Sequence, residues 1–107
     1  MIYKVLGQSN PSATTATTLY TVPSATNAVV STISVANLTG TAATYRIAIR
    51  PAGASLANLH YLAYDVTVAA SDTTVLTLGV TLAATDVITI YASTANLAFS
   101  AFGSEIS

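Results

Sequence analysis

Cysteine and tryptophan are both absent from this chain of 107 residues, and charged residues make up only 7% of it. Without cysteine, the chain has no disulfide, no thiolate metal site and no cysteine nucleophile. Its three lysine and arginine residues are too few for the clustered basic face that binds nucleic acid. They are also too few for a polybasic segment that binds an anionic membrane surface. We therefore expect neither nucleic acid nor a membrane as a partner.

Long apolar runs are also missing. A membrane span needs about 20 mostly apolar residues in succession, and Thr, Ser or Asn interrupts every apolar run of this chain within a few positions. The first ten residues, Met1–Asn10, hold one lysine but no apolar stretch of the length that a secretory signal needs. We expect the protein to be made in the cytoplasm and left there.

The polar residues that are present are mainly threonine and serine. Hydrophobic residues form 52% of the chain, which argues against intrinsic disorder, and the length fits one domain. Thr and Val are β-branched and suit strands, whereas the charge pairs that stabilise isolated helices are missing. We predict an all-β fold, an antiparallel β-sandwich that is jelly-roll-like and has about eight strands.

Runs of strand-forming residues alternate with turn signals about every ten residues, which is typical of a sandwich or a barrel. The segment Ala54–Leu62 is also compatible with one or two helical turns. An N-terminal arm of residues 1–17, with the first strand and a linker, is expected to precede a β-sandwich domain of residues 18–107. The predicted strands are Ile2–Leu6, Thr18–Val22, Ala28–Ala36, Ala43–Arg50, Leu59–Val68, Val75–Leu82, Val87–Ala92 and Leu97–Ile106.

Alternation with a period of two predicts which side chains face the core. In the third predicted strand, Val29, Ile33 and Val35 are expected to share the apolar face. The other inward sets are Tyr45, Ile47 and Ile49; Leu62, Tyr64, Val66 and Val68; Leu76, Leu78, Val80 and Leu82; Ile88 and Ile90; and Leu97, Phe99 and Ala101.

Residues that carry chemistry are few and scattered. The only histidine, His60, is more typical of a hydrogen-bonded residue at a strand edge than of a catalytic base, since no Gly-x-Ser-x-Gly motif accompanies it. Asp65 and Asp72 are the least unfavourable calcium ligands, but one histidine and four scattered carboxylates do not supply the ligand set of a metal site. Asp72 and Asp86 follow turns, where Asp caps its own backbone. We predict no catalytic residue, no metal site and no cofactor.

Arg46 and Arg50 lie four residues apart on one face of a predicted strand. Either could pair with Asp65 or Glu105 of its own or of a neighbouring subunit, and such pairs would set register and partner choice more than stability.

Six tyrosines are a possible platform for a sugar, because aromatic faces stack on sugar rings. Tyr45 and Tyr64 are predicted to face the core, which leaves Tyr3, Tyr20, Tyr61 and Tyr91 for such a platform.

The scarcity of charge predicts association. The surface of a small soluble domain usually has about a quarter to a third of its residues charged, and this chain has a net charge of −1. We expect a homo-oligomer or a part of a larger assembly. Residues of the Ile2–Leu6 segment would be free to add a strand to the open edge of a neighbour. The candidate contacts between subunits are Ile2, Tyr3, Val5, Leu6, Arg46, Arg50 and Glu105.

Several short segments carry a resemblance to a known group of proteins. Together they resemble a family of small all-β virion structural proteins of tailed bacteriophages and cyanophages, over about residues 18–106, with Ile2–Thr17 outside the resemblance. The segments are Leu19–Pro23, Ala28–Ile33, Tyr45–Ala48, His60–Asp65, Leu76–Gly79, Tyr91–Leu97 and Phe102–Ile106. The last two of these are the most specific.

The resemblance implies a non-enzymatic, jelly-roll-like β-sandwich of the kind found in capsid decoration (cement) proteins and in tail or fibre components. We therefore expect a virion protein, foremost a capsid decoration protein. As a homotrimer it would bind the major capsid protein or another virion protein, and it would gain strength by multivalency. The alternative is a tail, baseplate or fibre component with a role in carbohydrate or host binding.

Overall fold

The computed structural model describes residues 2–106. Within this range the chain forms eight β-strands and two single 3-10 turns, Pro51–Gly53 and Asn58–His60. None of the helical segments in this range is long and apolar enough to cross a bilayer. The strands are β1 (Ile2–Ser9), β2 (Thr17–Thr21), β3 (Asn27–Asn37), β4 (Ala43–Arg50), β5 (Tyr61–Val68), β6 (Thr73–Leu82), β7 (Val87–Ala92) and β8 (Leu97–Ile106).

The strands form two four-stranded sheets. Sheet A has the order β1-β8-β3-β6, and sheet B has the order β2-β7-β4-β5. All the pairings are antiparallel, and every connection except the one between β4 and β5 passes from one sheet to the other. The predicted all-β class, the antiparallel sandwich and the number of strands are confirmed. The strand order is compatible with a jelly-roll-like arrangement.

The core lies between the sheets and is built from alternate apolar side chains. Ile33 and Ala101 of sheet A and Tyr45 and Ile47 of sheet B are fully buried. The ring of Tyr45 meets Phe99 edge to face, with centroids 6.2 Å apart and planes at 77°. Because aromatic pairs favour this geometry, the contact joins the two sheets at the centre of the sandwich.

Most of the predicted inward sets are confirmed. The bounds of β4, β7 and β8 are those predicted, and Ile88, Ile90 and Leu97 are fully buried. In β6, Leu82 is buried while Leu76 and Val80 pack against the core. The side chain of Leu78, predicted to face inward, lies outside the described residues.

The predicted inward position of Val29 is wrong. Val30 is fully buried instead, although Ile33 points inward as expected. The pairing of β3 with both β6 and β8 shifts register between Val30 and Thr32, so Ser31 forms a β-bulge. A bulge of one residue reverses the side to which the earlier positions point.

The predicted inward set of β5 is wrong for Leu62, Tyr64 and Val66, which are exposed, whereas Val68 is buried as predicted. The register of β5 against β4 shifts twice, and Asp65 has a positive φ of 51°. β5 is also the edge of sheet B, so only one neighbouring strand covers it. Before β5, the possible helical stretch at 54–62 contains just the 3-10 turn Asn58–His60.

The first segment pairs within its own chain and leaves its other edge open. β1 pairs with β8 of its own chain, from Ile2 opposite Glu105 to Ser9 opposite Phe99, and Leu6 packs against the core. This pairing satisfies the hydrogen-bonding groups along one edge of β8, which would otherwise be an exposed edge. β1 thereby becomes one edge of sheet A.

Candidate functional site

The outward surface of sheet A, called here the sheet A face, carries small, hydroxyl-bearing and apolar side chains. One row crosses all four strands, with Val5 opposite Phe102, Phe102 opposite Thr32 and Thr32 opposite Thr77. Val5 is 48% and Phe102 36% exposed. These two side chains, together with Lys4, Ser31 and Gly103, line a shallow groove of about 320 Å³.

A second row of the sheet A face is almost entirely polar and uncharged. Gln8 lies opposite Ser100, Ser100 opposite Ser34 and Ser34 opposite the exposed Val75. The Gln8 carboxamide donates a long hydrogen bond of 3.4 Å to the Ser100 hydroxyl. The face therefore offers uncharged hydrogen-bonding groups next to the apolar pair of Val5 and Phe102.

Lys4 is the cation beside this groove, and it lies on the edge strand β1. Lys4 of β1 makes an ion pair of 2.6 Å with Glu105 of β8. Glu105 also accepts a hydrogen bond of 2.5 Å from the Tyr20 hydroxyl, which ties sheet A to β2 of sheet B. Lys4 and then Tyr20 lower the pKa of Glu105 through these hydrogen bonds, and burial, assisted by Glu105, raises the pKa of Tyr20.

The outward surface of sheet B, called the sheet B face, has a different chemistry. Arg46 of β4 binds Asp65 of β5 through two hydrogen bonds, of 2.6 Å from Nε and 3.2 Å from the terminal nitrogen. The guanidinium lies 4.1 Å from the ring centroid of Tyr64 and 4.3 Å from that of Tyr91. The hydrogen bonds from Arg46 lower the pKa of Asp65 and raise that of Arg46 itself.

Strand pairing explains why these side chains meet. Arg46 lies directly opposite Tyr91 of β7. On the other side, the ladder passes from Tyr45–Val66 to Ile47–Ala63, so two β5 residues, Tyr64 and Asp65, stand opposite Arg46 alone. The bulge thus brings both the ring and the carboxylate to the same guanidinium. Cation–π contacts of this kind are favourable, and the two-point Arg–carboxylate pair fixes the geometry.

A cavity lies beside this cluster. Its walls are Asn58, Tyr61 and Tyr64, and its volume is about 360 Å³. The rings of Tyr61 and Tyr64 are 4.9 Å apart and stand at 82° to each other. They form a corner with the side chain of Asn58 beside it.

Hydrogen bonds from backbone N–H groups to side chains hold the loop that leads to this cavity. The carboxylate of Asp86 accepts from the backbone N–H of Ala52 at 2.8 Å and of Ala83 at 2.9 Å. His60 accepts a bond of 3.1 Å from the backbone N–H of Ala57 through Nδ1. His60 is thus hydrogen-bonded to a neighbour as expected, in a 3-10 turn rather than in a strand.

The seven predicted contact residues do not form one surface. Val5 is on the sheet A face, Glu105 binds Lys4 at its edge, and Leu6 is turned to the core. Arg46 is on the sheet B face, paired with Asp65 of its own chain. The side chains of the remaining two at the N-terminus, Ile2 and Tyr3, lie outside the described residues.

Arg50 has neutral partners. Its Nε donates to the Thr89 hydroxyl at 2.9 Å and its terminal nitrogen donates to the Ala54 carbonyl at 3.1 Å. Among the aspartates, Asp72 accepts from the Thr73 backbone N–H at 2.8 Å, which is the predicted role at a turn. In residues 2–106 no group of three or more potential metal ligands comes together.

The sequence reasoning missed two features. Phe102 alternates with the predicted inward set Leu97, Phe99 and Ala101, but nothing in the sequence marks it as a contact. Its pairing with Val5 is visible only in the strand register. The cluster of Tyr64 with Arg46 was missed because the alternation turned Tyr64 inward. No local pattern in the sequence indicates that two β5 residues, Tyr64 and Asp65, stand opposite Arg46.

Comparisons of the chain with protein-family models, with curated proteins and with solved structures find no match.

Proposed function

We propose that this chain is a non-enzymatic structural protein of a tailed-phage virion, foremost a capsid decoration protein, and that its sheet A face packs against a neighbouring protein. The observation that carries the proposal is the composition of that face. Apolar Val5 and Phe102 lie side by side on β1 and β8, and uncharged hydroxyl groups lie beside them. The sequence resemblance supplies the virion setting, in which the protein would reside after synthesis in the host cytoplasm.

The chemistry of the sheet A face suits a protein interface. Charged residues are depleted at the centre of protein interfaces, where aromatic residues are enriched. Threonine and serine hydroxyls can pair across such a contact without the cost of burying a charge. Within the described residues the one cation beside this face is Lys4, at its edge, and it is already paired with Glu105. A partner would therefore not have to neutralise it.

The proposed assembly is a homotrimer that binds the major capsid protein or another virion protein. In a cyclic trimer each subunit uses two different patches, so the sheet A face of one subunit meets another surface of the next. Three linked copies gain binding strength on a symmetric particle, because the second and third contacts form within an already bound complex. The proposal assigns no catalytic step and no cofactor to the chain.

A charge placed at the centre of the sheet A face tests the proposal. Phe102→Glu should convert the oligomer to a monomer, measured as native mass by light scattering after gel filtration. Leu38→Glu is the matched control, since Leu38 is 65% exposed in the turn between β3 and β4, and it should leave the mass unchanged. Equal masses for both variants and the unmodified protein would contradict the proposal.

The number of copies of the protein in each purified virion distinguishes a position on the capsid from one in the tail. Hundreds of copies support decoration of the capsid, whereas tens or fewer support the alternative, a tail, baseplate or fibre component. Quantitative mass spectrometry against the major capsid protein provides the ratio.

A further inference from the structure

The cavity at Asn58, Tyr61 and Tyr64 is on the sheet B face, away from the surface assigned to assembly. We propose that this cavity binds a neutral sugar ring of a glycan. The inference does not require the virion assignment, because it rests on the walls of the cavity alone.

The walls are held in place before any ligand arrives. Tyr64 is fixed on Arg46, which is itself held by two hydrogen bonds from its guanidinium to Asp65. Asn58 belongs to a 3-10 turn that the bond from the Ala57 N–H to His60 closes. A site whose side chains are already ordered loses less conformational entropy on binding.

The charge near the cavity favours a neutral ligand. The guanidinium of Arg46 is the nearest cation to Tyr64, and Asp65 balances it in a two-point pair. An anionic ligand would have to displace Asp65 from this pair, and a cationic one would meet the guanidinium. No acidic or basic side chain lines the cavity itself within the described residues.

The wall chemistry matches that of a sugar. Two phenol rings at 82° offer aromatic surface to the C–H face of a pyranose, and tyrosine provides rigid, amphipathic contact area. The exposed carboxamide of Asn58 can donate to one sugar hydroxyl and accept from another. The volume of about 360 Å³ is at the lower end of the range for small-molecule sites, which suits one or two rings.

Titration of the full-length, ¹⁵N-labelled protein with maltose, lactose and N,N′-diacetylchitobiose tests the inference by NMR. At least one of these saccharides should give saturable shifts at the amides of residues 58–64. Tyr61→Ala should weaken that binding about tenfold, which corresponds to about 1.4 kcal/mol, while Tyr61→Phe should retain most of it. Asn58→Ala, at an exposed turn, is the second variant if Tyr61→Ala does not fold.

Phe102→Ala is the matched control, because it removes an exposed aromatic ring from the sheet A face. It should leave saccharide binding unchanged while weakening assembly, and Tyr61→Ala should do the reverse. The inference is overturned if none of the three saccharides shifts these amides, or if Tyr61→Ala binds as well as the unmodified protein. Sialyllactose and a proline-rich peptide are titrated in the same way. The inference is also overturned if sialyllactose binds more tightly than lactose, or if the peptide alone binds at these residues.

Discussion

The two outer faces of this sandwich differ more than their shared strand architecture suggests. The sheet A face presents Val5, Phe102 and hydroxyl groups around a shallow groove, with the cation Lys4 at its edge. The sheet B face presents an arginine held between two tyrosines and paired with an aspartate. Both faces are built on four antiparallel strands, so the difference comes from the side chains and from the bulges that aim them.

The two faces are therefore suited to different kinds of partner. A broad, uncharged surface has no single anchor, and it is suited to a large contact with a protein. A fixed corner of aromatic rings beside a neutralised charge is suited to a small ligand. In a chain with 7% charged residues, the placement of two of the few ion-forming groups on one face leaves the other face free of charge at its centre.

The close approach of β8 and β3 under the sheet A face gives the largest expected effect on stability. A Cβ at Gly103 would collide with the carbonyl oxygen of Val29, whereas a Cβ at Gly79 would meet no atom within 4 Å. Gly103→Ala should therefore lower the free energy of unfolding by about 3 kcal/mol, while Gly79→Ala should change it by less than about 0.5 kcal/mol. Urea titration measures both, and similar losses in the two variants would contradict the close approach.

Asn37 joins the end of β3 in sheet A to the end of β5 in sheet B, and its removal should have the next largest effect. Its buried carboxamide donates to the carbonyls of Thr41, Val68 and Ala69 and accepts from the Thr39 N–H. Asn37→Ala should cost about 2 kcal/mol, because several buried backbone groups lose a partner. Asn27→Ala, at the exposed start of β3, is the control and should remain close to the unmodified protein in the same titration.

Arg46→Lys tests the cluster on the sheet B face, and it should have a smaller effect on stability than the two preceding substitutions. A lysine cannot form the two-point pair with Asp65 or stack as a plane on the tyrosines. We expect a lower thermal midpoint and a change in the near-ultraviolet circular dichroism of the tyrosines. Arg50→Lys should leave that tyrosine signal unchanged, since Arg50 binds the Thr89 hydroxyl and a carbonyl. An unaltered spectrum for Arg46→Lys would show that the guanidinium does not position Tyr64 and Tyr91.

The smallest expected effect is in the dependence of stability on pH, to which each sheet contributes one carboxylate. The pKa values of Glu105 and Asp65 are lower in the folded chain than their ordinary values of 4.5 and 3.8. Such groups stabilise the fold above the unfolded pKa, and the contribution is lost as the pH falls through the folded pKa. The thermal midpoint should therefore fall as the pH drops below 4.5.

Single substitutions separate the two carboxylates. Glu105→Gln and Asp65→Asn should each flatten part of this acid dependence in a thermal denaturation series. Tyr20 acts in the opposite direction, because its pKa is raised above the ordinary value of 10.0. Its contribution is present below pH 10 and is lost as the pH rises through the folded pKa. If the thermal midpoints of the unmodified protein, Glu105→Gln and Asp65→Asn fell in parallel as the pH drops, the result would contradict the pairing of these two carboxylates.

The sequence was sufficient where strands are regular and insufficient where they bulge. β4, β7 and β8 have the predicted bounds because alternation and turn residues mark them clearly. The errors fall at Val29 and along Leu62–Val66, next to register shifts that depend on the partner strand. Period-two alternation carries no information about an extra residue in a ladder.

For the candidate sites, too, prediction from the sequence failed where a strand bulges or where distant strands pair. The pairing of Arg46 with Asp65 was one of the predicted possibilities, since so few charges leave few combinations. The aromatic corner was not predicted, because Tyr64 reaches the outer face only through the bulge beside Asp65. The contact of Val5 with Phe102 joins the two ends of the chain and depends on β1 pairing with β8, which no local pattern specifies.

The native mass of the unmodified protein, measured by light scattering after gel filtration over a range of concentrations, tests the central claim most directly. An uncharged sheet A face that packs against a neighbouring subunit predicts a single species of three times 10.9 kDa. A monodisperse monomer of 10.9 kDa at the highest concentration would contradict it.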